Sequence, residues 1–269
     1  MFKRKALVIA IASVAVLALV GLASAQKAVK LKDKRLVSKN ELLQHKQERA
    51  REDATPVEEG VMTPQQKEHS KLYKGYRTGK KLRDLTTTVG DVSLRRDIGA
   101  QGGDTDEPSF DLQKFLREMA SDADAVVVGT VKNKSSQLTE DEDYVFTDYE
   151  LSVEEVLKDN PAATIRANNK ITVTRPGGTI LLNGRIVEAV DEAFQPLRKK
   201  GQYLIFLRFI PSTGGYQALG SKASFQIDDD KIGKLTKEPL SLGDENVSAF
   251  MNEVRAAIAA AAKSKGGAE

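Results

Sequence analysis

Hydrophobic and polar positions alternate in three different ways along the chain. Residues 6–22 are an unbroken apolar run. Residues 26–108 are nearly all polar and charged, with only scattered Val and Leu. From Ser109 onward the apolar positions become dense and periodic. Leu112, Phe115, Leu116 and Met119 follow the i, i+3, i+4, i+7 spacing of one helix face, with Ser109 as cap and Asp122-Ala123-Asp124 as the stop. The chain closes on a second such stripe, Val247, Phe250, Met251, Val254 and Ile258, opened by a capping-box pattern at Ser241-x-x-Asp244. Residues beyond 258 are expected to fray.

Between the two helices the period shortens to that of strands. Ala125-Val126-Val127-Val128-Gly129-Thr130-Val131 is a β-branched run suited to a buried strand. A polar loop is expected over 132–143. Val145, Thr147, Tyr149, Leu151 and Val153 then alternate with more polar neighbours, the mark of a half-buried strand. Lys170-Ile171-Thr172-Val173-Thr174 is another. Thr179-Ile180-Leu181-Leu182 and Arg185-Ile186-Val187 flank Asn183-Gly184, a strong hairpin signal. Strands are also expected over 203–210, 216–219 and 223–227. Five to seven short strands between two helices predict a mainly β fold, a small, mostly antiparallel OB-like barrel or sandwich.

Three segments carry a resemblance to a known family. They are Ala123-Asp124-Ala125-Val126-Val127-Val128-Gly129-Thr130-Val131, Leu151-Ser152-Val153-Glu154-Glu155-Val156-Leu157-Lys158 and Gly201-Gln202-Tyr203-Leu204-Ile205-Phe206-Leu207. In this order they resemble bacterial exported modules similar to the tissue-inhibitor-of-metalloproteinase and netrin-type domains, over residues 120–220. The resemblance implies an OB-type five-stranded barrel. Inhibitors of that family chelate zinc through an N-terminal cysteine. This chain has no cysteine, so the resemblance implies the fold and assigns no functional residue.

The N-terminal pattern bears on location. Lys3, Arg4 and Lys5 precede the apolar run, and Ala23-Ser24-Ala25 follows it as a small-x-small site. Together these read as a secretory signal peptide over 1–25, cut before Gln26. The 17 apolar residues are few for a spanning helix of about 20, and the mature protein is not expected to span a membrane. Residues 26–108 lack the apolar content for a core and are expected to be a disordered charged arm and linker, with a transient helix near 40–51 and a Gly-rich linker over 99–108. Pro56, Gly60 and Pro64 read as interruptions. The arm carries 18 Lys and Arg against 14 Asp and Glu; residues 109–269 carry 20 against 24. The basic excess thus lies in the arm, while the acidic, aromatic-poor remainder disfavours nucleic acid.

Little in the sequence points to catalysis. Thiol chemistry is excluded, since there is no cysteine. The two histidines, His45 and His69, both fall in the arm and read as solvated. Gly75-Tyr76-Arg77-Thr78-Gly79-Lys80-Lys81 has three residues between its glycines where a phosphate loop has four. The acidic runs at 104–107, 140–143 and 228–230 lack EF-hand spacing and read as polar hairpin tips. Lys170, Arg175, Arg185 and Tyr149 are candidates for an exposed binding face of the barrel. No catalytic, cofactor-binding or metal-ligating residue is assigned, and no cofactor is expected.

The expected organisation is therefore a signal peptide (1–25), a disordered arm (26–108), an OB-like barrel with flanking helices (109–262) and a disordered tail (263–269). The expected function is an exported, periplasmic or extracellular, non-enzymatic binding or interaction module, with another envelope protein or a polysaccharide as partner. The alternatives are an envelope structural protein tethered by its basic arm and a hydrolase using carboxylates alone. Mass spectrometry of the exported protein should find Gln26, free or cyclised, as the first residue; membrane-embedded protein beginning at Met1 or Phe2 would contradict cleavage.

Overall fold

The computed structural model describes residues 39–57, 61–77, 79–96, 111–220, 223–229, 231–234 and 246–266. The export segment, the Gly-rich linker, Ser109 and the capping pattern at Ser241 lie outside the described residues. The chain divides into two compact units, residues 1–49 and 50–269. Of the first, residues 39–49 are described. They belong to helix α1 (Lys39–Asp53), in which His45 is exposed and faces Glu48 at 3.5 Å.

The second unit is mainly β. Strands β3 (Ala125–Leu138), β4 (Val145–Lys158), β5 (Lys170–Pro176), β8 (Gln202–Ile210) and β9 (Gly215–Ala218) close into a ring. In it β3 pairs antiparallel with β4 and β8, β4 pairs with β5, β5 runs parallel to β9, and β9 returns antiparallel to β8. Closing five strands demands strong local bending. The β3–β4 ladder supplies it through register shifts near Val126, Val128 and Val131. At Gly129 a Cβ would stand 2.7 Å from the Ser152 carbonyl oxygen, so only glycine lets the two strands approach there.

Two apolar layers explain why the runs at 125–131 and 203–207 are continuous rather than alternating. Ala125, Val127, Tyr149, Leu151, Val173, Tyr203, Ile205, Tyr216 and Ala218 fill the inside of the ring. The intervening residues Val126, Val128, Leu204 and Phe206 face outward and are buried with Phe225 beneath helices α4 (Leu112–Asp122) and α5 (Val247–Gly266). Both faces of β3 and β8 are therefore covered, the condition that gives unbroken hydrophobic strands. Asp111, rather than Ser109, caps α4. Lys158 satisfies the last carbonyls of α4, donating to Ala120 at 2.8 Å and to Ala123. Helix α5 continues through Gly266, so the first residues of the expected tail are helical. Strands β10 (Ser224–Asp228) and β11 (Lys231–Lys234) extend the sheet beyond β8.

The largest departure from expectation is in the polar arm. Residues 55–96 are folded within the second unit. They form β1 (Thr55–Pro56), helices α2 (Pro64–Leu72) and α3 (Leu82–Val89), and β2 (Val92–Arg96). The hairpin of β6 (Gly178–Leu182) and β7 (Arg185–Asp191) turns at Asn183-Gly184, and β1 and β2 pair parallel with its two edges. Leu82 is fully buried with Leu138, Tyr144, Ile180, Leu182 and Val187, and Leu85, Val92 and Leu94 pack against them. The arm has too few apolar residues for a core of its own. It completes one that the hairpin and the β3–β4 turn have begun, so its apolar content alone does not report its folding.

Among the described residues, no helix is long and apolar enough to cross a membrane.

Candidate functional site

A buried polar constellation lies where α2 meets the outer face of the ring. Thr63 caps α2 by accepting from the Gln66 amide, Gln66 returns a bond to the Thr63 N–H, and Pro64 occupies the first turn. This capping box fixes the helix start, so that His69 and Ser70 fall on its inward side and are buried. Alternation along β4 sends Tyr149 and Leu151 into the ring and Phe146 and Asp148 outward, under α2. His69 Nδ1 lies 2.9 Å from Asp148 Oδ1, and its Nε2 lies 3.0 Å from Thr213 Oγ1 in the β8–β9 turn. Gln66 donates to Ser135 on β3 at 3.2 Å. Tyr73 stacks on Phe146, with ring centres 5.8 Å apart, and accepts from Gln217 on β9. A Cβ on Gly215 would come within 3.2 Å of His69 Nε2, so the residue at this turn must be small for α2 to seat.

His69, expected to be solvated, is thus fully buried: the two ring nitrogens that would have faced water face a carboxylate and a hydroxyl instead. In the neutral ring the Nδ1 proton goes to the acceptor-only carboxylate, and Nε2 accepts from the Thr213 hydroxyl. Chemically this is the order carboxylate, imidazole, hydroxyl that activates a nucleophile in acyl transfer. An acyl-transfer site also needs donors aimed at a developing oxyanion. The backbone N–H of Gly215 points instead at Thr213 Oγ1 itself, at 3.2 Å. The constellation holds α2 down on the ring.

The β3–β4 turn is clasped by the same arm. The Gly75 N–H donates to Asp141 Oδ2 at 2.6 Å, Leu82 N–H to the Glu142 carbonyl at 2.8 Å, and Arg83 Nε to Glu142 Oε1 at 2.8 Å. Lys74 meets Glu140 at 3.1 Å. The acidic run 140–143, read as a polar tip, is half covered as a result. Burial, reinforced by the Asp141 carboxyl, pushes Asp143 up to about 6. Burial works on Asp141 in the same sense, but Thr139 and the Gly75 amide outweigh it and hold that carboxyl below its ordinary value. Between α2, α3 and this turn opens a groove of about 420 Å³. Val57, Met62 and Leu138 supply its apolar part, and Glu68, Lys71, Arg83 and Glu142 its charged part.

Of the residues considered for an exposed face, Lys170 and Arg185 are exposed, and Lys170 pairs with Glu150 at 2.9 Å. Tyr149 and Arg175 are not. Both project into the ring, because Arg175 is two residues along β5 from the inward Val173. Arg175 is 1 % exposed and its three guanidinium nitrogens make no hydrogen bond. Its cation lies 5.4 Å from the centre of the Phe194 ring, and burial holds its pKa down, against the pull of Tyr149, Tyr73, Tyr203 and Asp191. Asp191, also buried, gathers Tyr76 Oη at 2.6 Å, Arg96 at 3.2 Å and the Ala193 N–H at 2.8 Å, tying the arm to β7. Among the described residues, no three imidazole or carboxylate groups converge as a metal site would require.

The residues that sequence reasoning missed are His69, Asp148 and Thr213. One signal for them was present: Thr63-Pro64-x-Gln66 is a capping box with proline at its favoured position, whereas Pro64 was read as a break. Protein-family models and curated proteins give no match to the chain.

Removing the imidazole tests the constellation directly. His69→Ala strands Asp148 in a buried setting without its donor, and should lower stability by about 1–3 kcal/mol in urea titration; a change under about 0.3 kcal/mol would show that His69 holds nothing.

Proposed function

We propose that the chain is an exported, non-enzymatic binding module built on an OB-type barrel. The order β3–β4–β5–β9–β8, closed back on β3 with β5 and β9 parallel, supports that barrel type. Barrels of this type bind along their second and third strands and at the loops between strands one and two and between strands four and five. Those positions fall here on β4 and β5, the 139–144 turn and the 211–214 turn. The single observation that carries the reading is the 420 Å³ groove beside the 139–144 turn, within the size range of small-ligand sites. Its apolar part beside paired charges of both signs suits a side chain or short segment of a polypeptide, and the partner proposed is another envelope protein.

A second reading rests on the line of Asp148, His69 and Thr213, which has the distances of a hydrolytic triad. It differs from the carboxylate-only hydrolase in that a histidine takes part.

Ligand-observed NMR with a fragment and short-peptide library against residues 26–269 separates the two. Binding lost on Met62→Arg, with no turnover of chromogenic esters, is the expected result. Ester turnover abolished by both His69→Asn and Thr213→Ala would instead establish the hydrolase.

A further inference from the structure

Helix α2 lies over the outer face of β4 and against the β8–β9 turn, the positions that the proposed barrel would use for its ligand. How it is held differs from the rest of the arm. Leu82, Leu85, Val92 and Leu94 are anchored in an apolar cluster with the hairpin and the β3–β4 turn. Within α2 the only buried residues are His69 and Ser70. Its hydrogen bonds tie His69 to Asp148 and Thr213, Gln66 to Ser135, and the Ser70 carbonyl to the Glu140 N–H at 3.5 Å, while just past its last turn Tyr73 stacks on Phe146. Such bonds exchange for bonds to water with little net gain, whereas buried apolar area does not. The ring beneath keeps a core without α2, because the two apolar layers on and inside it contain no residue of the arm.

Charge identifies what the covered face accepts. Asp148 points up at α2, and Glu140, Asp141, Glu142 and Asp143 line the adjoining turn. What meets them from the arm is cationic or a donor: His69 on Asp148, Lys74 on Glu140, Lys81 and Arg83 on Glu142, and the Gly75 amide on Asp141. The arm is a basic segment seated on an acidic face.

We propose that α2 is a displaceable latch, and that the partner of this face is a cationic polypeptide segment of another protein, which takes the place of residues 63–74 by offering its own donor to Asp148 and a basic side chain to Glu140. This rests on the binding-module reading and names its partner class. Residues 76–96 stay anchored during the exchange, Lys81 and Arg83 with them on Glu142, and the two bends fall at Met62 and at Gly75, whose φ is 69°.

The probe is a fluorescent peptide of residues 61–83, titrated by anisotropy into full mature chain, 26–269. Two opened hosts are compared with wild type. His69→Ala removes the central contact. Thr63→Ala with Gln66→Ala weakens the capping box, leaves Asp148 and the acidic turn intact, and serves if the first variant folds poorly by circular dichroism. Opened hosts should bind the peptide at least tenfold more tightly than wild type. Binding should fall again with Asp148→Asn in the same host, or with His69→Ala in the peptide. Equal binding by all hosts, or none by a folded opened host, would overturn the latch. Uptake of cell-wall oligosaccharides in place of the peptide would overturn the partner class. In either case fragments that bind the groove of the wild-type chain would leave the binding-module reading standing.

Discussion

Asp148 points outward from β4, yet only 8 % of its surface is exposed. A carboxylate in that position must be met by a donor or a cation, because burying it alone costs several kcal/mol. Its neighbours on the ring do not supply one; the imidazole of His69 does, and it arrives on a helix from a remote part of the chain. The placement of α2 follows from this pairing, and that of Tyr73 on Phe146 and of the Gly75 amide on Asp141 follows from α2. The 420 Å³ groove is walled by α2, by Arg83 and by the 139–144 turn that these contacts bring together.

The ring itself rests on a different balance. Its inner and outer layers are apolar and continuous, and nearly all its polar burial is paired. Arg175 and its neighbour Thr174 are exceptions: the Thr174 hydroxyl has no partner, and Arg175 is an inward guanidinium with no hydrogen bond to any of its nitrogens. Aromatic faces offset part of the cost of that charge. Asp191, at the end of β7, is in contrast served by Tyr76, Arg96 and the Ala193 amide, and this is the second buried carboxylate that the arm supplies with donors. Tyr76 is pushed well above its usual range by burial and by that carboxylate, so it remains a donor across the physiological range.

Much of the fold was legible from periodicity. The helix over 112–122, the alternating strand from Val145, the Asn183-Gly184 hairpin and the strand over 203–210 follow from local pattern, since their apolar partners are dense and near. Three features were not. Strand β3 runs on to Leu138 where a loop was expected from 132, because its polar residues pair with β4 rather than with solvent. The arm folds although it is polar, because it adds a few apolar residues to a cluster built elsewhere. The pairings β5–β9, β1–β6 and β2–β7 are parallel in a fold expected to be mostly antiparallel, and parallel pairing between remote segments leaves no local trace in the sequence. The site was the least legible part. Its three residues are separated by 79 and 65 positions, and only the capping box at Thr63 hinted that His69 sits on an ordered helix.

The central claim is that the polar arm is folded onto the ring through His69 and Asp148. Hydrogen exchange read by mass spectrometry on the mature chain tests it most directly. The expected result is clear protection of amides in residues 64–89, weaker than that of β8 but far above unfolded rates, and lost selectively in residues 64–72 on His69→Ala. Exchange of residues 64–89 at unfolded rates in the wild-type chain, beside a protected β8, would contradict it.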